Sequence, residues 1–465
     1  MTRTIAELPG PRRLPLIGNA HQLFPPSRLH LAAERWADRY GPIVRVNLGT
    51  RRIVGISDQN AITEILRDRP DGYRRWLDQR AVIEEMGPPG LFIVEGEDWK
   101  RQRRLVLTAL NTNYLHRYFE VIRLATERLH GRLRTAAARG MPIEICDELT
   151  SFSVDVTSAL ALGHDLNTLE RGDSELQGHI RRVMQMTARR VSAPFAYWRH
   201  VRLPADRALD RSLVQMHRSI QEFIEQARAR MAARPDSFES PENLLEAMLA
   251  AQHADGKFTD DEIVGNIFVI LLAGEDTTAH TLAWTLWLLG SRRECQQRLA
   301  EEAEDVLGDQ LLAGCHETVA KLAYAEAVLQ ESMRLKGVTG LLAVEPLEDT
   351  TILETRIPAG TRLLLMLRHA CRETASLTDE FLPERWLEDN EQTKPAKTLA
   401  FGAGPRFCPG RNLALLESKA ALSMIARNFA IELDESAGPV REAFEFAIVP
   451  RGLRVLVRER AQVTV

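Results

Sequence analysis

Paired cysteine motifs are absent from this sequence. Its five cysteines are scattered and include no C-x-x-C string, which argues against a disulfide framework and against a four-cysteine iron–sulfur site. No G-x-G-x-x-G string opens a helix after a strand, so nothing indicates a flavin or nicotinamide domain. If the chain carries out redox chemistry, its electrons have to come from a separate protein.

Long apolar runs and an excess of one charge are also absent. The 60 basic and 64 acidic residues give a formal charge of −4, which disfavours general nucleic-acid binding. The N-terminal region has neither a signal-peptide pattern nor the apolar run of about 18 residues that a membrane span needs. We therefore expect a cytoplasmic protein whose proline-rich N-terminal segment, residues 1–20, has no transmembrane anchor.

No internal repeat, low-complexity linker or Gly/Ser-rich hinge divides the 465 residues. Length alone would allow two or three domains. Because no boundary is visible, we predict a single domain over residues 1–465, helical for most of 97–335, and a monomer. Four strand-like runs are predicted at 43–46, 52–56, 362–366 and 453–457.

What the sequence does contain is a cysteine in an unusual setting. Cys408 lies in the string FGAGPRFCPG, just before an apolar helix predicted at 412–426. A thiolate binds metal, and backbone N–H groups, a helix N-terminus and a cation such as Arg406 would stabilise it. Gly402 and Gly404 allow a tight turn and a close approach to a flat ligand. The alternative is a cysteine that is simply buried at the start of a helix.

A second pattern is a long apolar helix with polar residues at its middle. The helix is predicted to begin at a capping box with Thr259 as N-cap and Glu262 three residues on, and to run for about 30 residues. The string AGEDTT at 273–278 places a glycine, two carboxylates and two threonines in its interior. Burying them is costly unless they have a function, although a threonine kink is the structural alternative.

Two weaker patterns accompany these. Glu331 and Arg334 are i, i+3 neighbours in a helix predicted at 317–335, and Arg385 lies in the string FLPERW further on. Trp99 and Arg103 are i, i+4 neighbours on another helix. Alone, such pairs are usually solvated surface features.

Together, and in this order along the chain, the four patterns resemble the cytochrome P450 family. The string around Cys408 matches the family pattern F-x-x-G-x-R-x-C-x-G at every fixed position. The resemblance implies a mainly α fold with small β-sheets, a long central helix and a cysteine-ligand loop. It also implies a haem-thiolate monooxygenase that carries heme b, iron protoporphyrin IX.

The resemblance also implies roles for individual residues. Asp276 and Thr277 would relay protons, and Glu331, Arg334 and Arg385 would form a structural triad behind the haem. The implied cofactor-binding residues are Cys408 as iron ligand, Trp99 and Arg103 at a haem propionate, Phe401, Gly402 and Arg406 in the ligand loop, and Ala273 and Gly274 beside the dioxygen site.

One departure from the family concerns the second propionate. The family usually supplies an arginine for it from the strand after the E-x-x-R helix, but here that stretch reads LAVEP at 342–346. Arg406, His369 or Arg368 could take its place.

Substrate and partner follow only from the family positions. The substrate pocket would include Phe92, Ile270, Leu341, Leu342 and Phe446. These apolar residues favour a neutral hydrophobic small molecule, such as a terpenoid, fatty-acid derivative, steroid or polyketide, as found in secondary metabolism. Residues 194–200 would form a mobile lid or membrane-touching edge, or else a loop packed on its own aromatics.

Electrons would come from a ferredoxin or flavodoxin with its reductase, as for a soluble, prokaryotic-type member of the family. The partner would dock on a basic patch of Arg101, Arg104, Arg406 and Arg411. Three other readings are a peroxide-dependent or isomerising haem-thiolate enzyme, a non-enzymatic haem-binding sensor and a helical scaffold without cofactor. The Asp276–Thr277 pair argues against the first two, since neither requires a proton relay.

Overall fold

Helices dominate the computed structural model, which describes residues 2–49, 51–110, 112–172, 174–193, 195–256, 258–372, 379–387 and 398–460. Helical bounds in this part of the chain are α1 Leu29–Tyr40, α2 Gln59–Asp68, α3 Leu77–Glu84, α4 Gly96–Ala109, α5 Thr112–Arg139, α6 Ile145–Leu162, α7 Thr168–Arg171, α8 Glu175–Val191, α9 Pro204–Ala233, α10 Leu244–Asp255, α11 Asp260–Gly290, α12 Arg293–Leu307, α13 His316–Ala320, α14 Ala323–Lys336, α15 Leu367–Arg372 and α16 Arg411–Asn428.

The strands are short and form small sheets. Their bounds are β1 Arg3–Thr4, β2 Ile43–Leu48, β3 Arg51–Ile56, β4 Tyr73–Arg75, β5 Ile143–Glu144, β6 Leu342–Pro346, β7 Thr350–Ile352, β8 Thr355–Ile357, β9 Arg362–Leu365, β10 Phe429–Leu433, β11 Arg441–Glu445, β12 Ala447–Arg451 and β13 Arg454–Glu459. The largest sheet has the order β2-β3-β9-β6-β4, and the others are β1-β8-β7, β10-β13-β5 and the hairpin β11-β12. The predicted fold class and all four predicted strands are confirmed, and the strand bounds differ by at most two residues at either end.

The central helix α11 begins where the capping box predicts. The Thr259 hydroxyl accepts from the backbone N–H of Glu262 at 3.2 Å, and the Glu262 carboxylate accepts from the N–H of Thr259 at 2.9 Å. Because α11 is apolar on most sides it is buried, and its most extensive packing is against α6. A second apolar cluster, the sheet core, lies under the five-stranded sheet and includes Val54, Val344 and Leu363.

The helix predicted over 317–335 is wrong in one respect, because the structure divides it into α13 and α14. The Glu302 carboxylate of α12 accepts from the backbone N–H groups of Tyr324 and Ala325. A carboxylate at these otherwise unpaired N–H groups stabilises a new helix start. The capping group lies on another helix, so local periodicity could not indicate the break.

Within the described ranges, no helix is both long and apolar enough to cross a bilayer.

Candidate active site

The cysteine loop between the sheet core and α16 forms a tight, defined turn. The backbone N–H of Cys408 donates to the carbonyl of Phe401 at 2.8 Å. Gly402 and Gly404 adopt φ values of 71° and 66°, which favour glycine. A Cβ on Gly404 would lie 2.2 Å from the carbonyl oxygen of Leu66. The loop therefore rests directly on the last turn of α2.

The Cys408 thiol is held among stabilising dipoles but is itself largely removed from water. Backbone N–H groups of Gly410 and Arg411 and the guanidinium of Arg103 favour its thiolate, yet burial dominates and raises the pKa of Cys408. The expectation that these groups lower the pKa of Cys408 is therefore wrong for the protein alone. The cation that acts on the Cys408 thiol is Arg103 rather than Arg406. A metal ion deprotonates a coordinating thiol outright, so the site still suits a thiolate ligand.

Trp99 and Arg103 of α4 both reach this loop. Arg103 donates from Nη2 to the carbonyl of Phe407, and its guanidinium lies 4.6 Å from the centre of the Phe407 ring. The buried Trp99 ring lies 4.5 Å from the guanidinium of Arg406. The buried Nε of Arg103 and the buried Nε of Arg406 have no hydrogen-bond partner among the described residues. These donors remain available to a ligand.

Arg69 is a site residue that the sequence analysis missed. It follows α2 directly and is buried, yet its Nε and Nη2 have no partner in the described chain. Burial and the neighbouring Arg406 lower the pKa of Arg69 to about 10. The stretch RDRPDGYRR at 67–75 could have drawn attention to it, because a run of arginines beside a proline turn precedes the Trp99 helix.

The charges around the loop are unbalanced. Four guanidinium groups lie near one another beside the cysteine loop, those of Arg69, Arg75, Arg103 and Arg406. Within the described ranges, Glu95 is the one carboxylate that interacts with Arg406, Arg69 and Arg75. Glu95 pairs with Arg406. Three positive charges remain, since Arg103 also lacks a carboxylate partner. A thiolate and the two propionate carboxylates of heme b would lie among these cations and compensate them, so the residues present fit that cofactor.

The polar centre of α11 lies as predicted, with one addition. The Thr277 hydroxyl donates to the Ala273 carbonyl at 2.8 Å. Burial raises the pKa of Asp276, opposed chiefly by His280, whose Nδ1 lies 4.0 Å from the carboxylate. Arg451 also acts on Asp276. His280 was not foreseen, although its i, i+4 spacing from Asp276 places both on one face.

Ala273 and Gly274 have different surroundings. Ala273 is exposed although it lies in the interior of a buried helix, which is compatible with a cavity on that side. A Cβ on Gly274 would instead meet Thr157 of α6, with Oγ1 at 2.4 Å. The missing Cβ of Gly274 therefore makes room for α6, and the placement of Gly274 beside a dioxygen site stays a prediction.

Glu331, Arg334 and Arg385 come together in the interior. Arg334 donates from two nitrogens to Glu331 at 2.8 and 2.9 Å, and Arg385 Nε lies 3.2 Å from the same carboxylate. The Trp386 indole N–H also donates to Glu331, at 2.9 Å. Trp386 was not predicted as a member, and its place directly after Arg385 is the only signal the sequence offers.

Two substitutes for the second propionate partner are engaged elsewhere. Arg368 donates to both oxygens of Glu34 at 2.7 Å and to Glu442 at 2.8 Å. His369 lies 2.8 Å from the carboxylate of Asp38. Because these contacts occupy both groups on the α1 side of the sheet, neither is placed to bind a cofactor beside Cys408.

The predicted basic docking patch is smaller than expected. Arg101 is bound to Glu262 and Asp98, and Arg406 is buried against Glu95. Arg104 and Arg411 are exposed. Only these last two of the four predicted arginines can act on an approaching protein.

A cavity of 590 Å³ opens between α8, residues 195–197, Pro26 and the β11-β12 hairpin. Its lining combines apolar and polar side chains, namely Pro26, Gln185, Ala188, Arg189, Ser192, Ala193, Phe195, Tyr197, Phe444, Glu445 and Arg451. Arg451 connects this cavity to Asp276 electrostatically. The lid prediction 194–200 is represented here by Phe195 and Tyr197, while Pro194 lies outside the described residues.

None of the five predicted substrate-pocket residues lines that cavity. Phe92 and Phe446 are neighbours, with ring centres 6.0 Å apart, and Ile270 packs on the same helical core. Leu341 and Leu342 pack on the sheet side instead. The structure therefore brings two of the five predicted pocket residues, Phe92 and Phe446, together, and it places Leu341 and Leu342 in other clusters.

Fold and site together define a haem-thiolate oxidoreductase. A family model described as Cytochrome P450 matches residues 8–457. The chain is 29% identical to human 25-hydroxyvitamin D-1 alpha hydroxylase, mitochondrial, over 96% of this chain and 91% of that protein. It is 25% identical to Protein LUTEIN DEFICIENT 5, chloroplastic, of Arabidopsis thaliana, over 91% and 73%. A cytochrome P450 of Drosophila melanogaster is 27% identical over 91% and 87%.

The chain belongs to the cytochrome P450 family. Its cofactor is accordingly heme b, and its activity is that of a monooxygenase.

Proposed function

We propose that this protein inserts one oxygen atom of dioxygen into a hydrophobic small molecule, with Cys408 as the residue that would hold the iron of heme b. The observation that carries the proposal is the geometry of the cysteine loop. Gly402 and Gly404 adopt left-handed backbone conformations, and the backbone N–H of Cys408 donates a hydrogen bond to the carbonyl of Phe401, so the thiol lies just before α16. When bound, a haem with a thiolate ligand supplies the activation of dioxygen.

Cofactor binding is the first task of the protein side chains. Arg103 and Arg406 have unused donors beside the cysteine loop, and the buried Arg69 has no partner in the described chain. The Trp99 ring lies against the guanidinium of Arg406. Arginine suits a carboxylate because its planar fork can bind both oxygens. We assign these four residues to the haem propionates, and we assign the Glu331–Arg334–Arg385 triad to support of the fold behind the cofactor.

Proton delivery is the second task. The Thr277 hydroxyl donates to the carbonyl of Ala273, an exposed residue one helical turn earlier. Asp276 has a raised pKa, which lets its carboxyl both hold and release a proton. His280 and Arg451 connect Asp276 toward the cavity and solvent. This acid–alcohol pair supports a reductant-dependent monooxygenase over a peroxide-dependent or isomerising enzyme.

Substrate access is assigned to the cavity beneath the lid. Its apolar side chains, including Phe195, Tyr197 and Phe444, favour a hydrophobic ligand, and a volume of 590 Å³ suits a small molecule. Terpenoid, fatty-acid, steroid and polyketide substrates all meet this description. We place the reacting end near Ile270, Phe92 and Phe446, deeper in the helical core.

Electrons come from a separate ferredoxin or flavodoxin with its reductase. Arg104 of α4, the helix that carries Trp99, and Arg411 at the start of α16, just after the cysteine loop, are both exposed. A negatively charged carrier could dock there, close to the thiolate side of the cofactor. We expect the protein to act as a monomer.

An optical titration of the ferric protein with hydrophobic metabolites tests the proposal. We expect the reduced–CO complex to show the Soret band of thiolate-ligated haem, and we expect one chemical class of hydrophobic ligand to shift the ferric Soret band. Reductant-dependent product from that class completes the test. The proposal would be rejected if the wild-type protein lacked the thiolate-type Soret band, or if turnover needed peroxide but no reductant.

A further inference from the structure

The strand that lacks the expected arginine has a partner strand that carries one. Strand β6, where the family resemblance places a propionate-binding arginine, pairs antiparallel with β4. In that register Arg75 lies directly opposite Val344, and Arg74 lies opposite Glu345. Residues directly opposite in an antiparallel pair project from the same face of the sheet. Arg75 therefore projects from the face that Val344 occupies.

Arg74 and Arg75 have different surroundings because successive side chains point to opposite faces. Arg74 Nε binds Glu345 at 2.7 Å, so its charge is compensated. Arg75 Nε donates to the carbonyl of Phe92 at 2.9 Å, and its guanidinium lies 3.8 Å from the centre of the Phe92 ring. These two contacts hold the Arg75 guanidinium against the Phe92 ring and fix its orientation.

The remaining nitrogens of Arg75 have no partner in the part of the chain that the structure describes. Within the described ranges, neither Nη1 nor Nη2 makes a hydrogen bond or ion pair, although the buried Arg69 and Arg406 are close enough to act on the group. Glu95, the one carboxylate of this cluster among the described residues, is paired with Arg406 and accepts from the backbone N–H of Arg75 rather than from its side chain. Burial and the two neighbouring cations lower the pKa of Arg75 to about 9.

We infer that Arg75 binds the second propionate of heme b from strand β4, in place of the arginine that β6 lacks. The inference rests on the assignment of Cys408 as axial ligand made under Proposed function. Arg75 would enter the cofactor site from the sheet side, on the face of Phe92 and beside Arg69 and Arg406. Phe92 then serves to position this guanidinium as well as to line the pocket.

Haem retention separates this role from a general structural one. We would measure the rate of haem transfer from the loaded protein to excess apomyoglobin for Arg75→Gln and for the matched control Arg74→Gln. Loss of a charge-assisted pair predicts transfer that is faster by about tenfold to a hundredfold for Arg75→Gln. Arg74→Gln should stay within about twofold of wild type, because Arg74 faces Glu345.

The reduction potential of the haem provides a second measurement. Removing a cation beside a propionate disfavours the reduced, more negative state, so Arg75→Gln should lower the potential and Arg74→Gln should not. Equal haem-transfer rates for the two variants, or an unchanged potential in Arg75→Gln, would overturn the inference.

Exchange of the two strand positions tests the geometry itself. The double variant Arg75→Val/Val344→Arg returns a guanidinium to the same face from β6, and we expect it to recover most of the haem retention. A folded exchange variant that loses haem as fast as Arg75→Gln would refute the positional argument. If the exchange variant does not fold, Arg75→Lys takes its place as the test. We expect Arg75→Lys to retain haem less well than wild type and better than Arg75→Gln, because lysine keeps the charge but not the planar fork. Haem loss from Arg75→Lys as fast as from Arg75→Gln would count against the role of the fork geometry.

Failure of this inference differs from failure of the proposed function. If Cys408 is not the ligand, the wild-type reduced–CO complex lacks the thiolate-type Soret band whatever occupies position 75. If only the Arg75 inference fails, that band is present and Arg75→Gln retains haem as wild type does.

Discussion

Gly274 of α11 and Thr157 of α6 touch so closely that a Cβ on the glycine would lie 2.4 Å from the threonine Oγ1 and 2.6 Å from its Cγ2. The two helices pack against each other more extensively than any other pair in the described chain. Close-packed interiors give way little. The missing side chain of Gly274 therefore sets the distance between the central helix and α6.

Gly274→Ala should consequently destabilise the protein by about 1–3 kcal/mol, the usual cost of overpacking a core. Denaturant unfolding of the wild type and the variant measures it. Gly178→Ala on α8 is the control, because a Cβ there meets no heavy atom within 4 Å, and it should be neutral or stabilise by up to about 1 kcal/mol. Equal effects of the two changes would contradict the packing argument.

Thr277→Ala should retain haem but form several-fold less product per reductant consumed, because the hydroxyl assigned to proton delivery is lost. Thr281→Ala is the matched control. Both threonines donate to the carbonyl four residues earlier, at 2.8 Å in each case, so both changes remove the same kind of helix contact. If the product yields of the two variants are alike, Thr277 has no special part in proton delivery.

Glu331→Gln should destabilise the protein by about 3–5 kcal/mol, because it leaves the buried guanidinium of Arg334 without its counter-charge. The exposed pair Arg298–Glu384 is the comparison. Its side chains are 48% and 41% exposed and 2.8 Å apart, and Arg298→Gln should cost less than about 1 kcal/mol. Thermal or denaturant unfolding distinguishes the two, and a small effect of Glu331→Gln would show that the triad contributes little to stability.

The stability of the protein should fall between weakly acidic and weakly basic pH. Burial raises the pKa of Glu417 from its ordinary 4.5 to about 8, and a hydrogen bond with Thr278 offsets this only in part. A carboxyl whose pKa is higher in the folded chain binds its proton more tightly there. The stability that this proton supplies is present below about pH 4.5 and is lost as pH rises to about 8.

Glu417→Gln should remove that contribution. At pH 8 the variant should be more stable by about 2–4 kcal/mol, and near pH 4 it should match the wild type. Unfolding curves at several pH values measure this, with the exposed Glu304→Gln of α12 as control. A wild-type slope that persists in Glu417→Gln would mean that another group titrates.

Electron transfer should depend on Arg104 and Arg411. The double variant Arg104→Glu/Arg411→Glu should slow reduction by an acidic ferredoxin at least about tenfold at low salt, and the difference should shrink as salt screens the charges. Stopped-flow reduction at several ionic strengths measures it. Arg211→Glu on α9 places the same change beside the lid region, and an equal effect there would show that only net charge matters.

The sequence predicted the parts of this fold whose signals are local. The capping box at Thr259 and Glu262 correctly placed the start of α11, and strand-like runs placed β2, β3, β9 and β13. The match around Cys408 indicated the family and hence the cofactor. Each of these patterns is contained in one short stretch of chain, so no knowledge of distant neighbours was required.

Features set by distant neighbours were not predictable in the same way. Glu302 of α12 divides α13 from α14, and Thr157 of α6 occupies the space opposite Gly274. Arg69 acquires its importance only because the cysteine loop folds back on α2. Arg101 and Arg406 were expected on the surface as cations, but carboxylates far away in the sequence neutralise them.

The contact of Gly404 with Leu66 joins two separately packed cores. Leu66 belongs to the sheet core, whereas Phe401 and Trp99 pack on the helical core around α11. The guanidinium groups beside the cysteine loop, those of Arg69, Arg75, Arg103 and Arg406, come from both sides of this junction. They repel one another across it unless the two haem propionates compensate their charge. Cofactor binding and the docking of the two cores are thus thermodynamically linked. The apoprotein should open first along this seam, so protease cleavage between the cores would report haem occupancy directly.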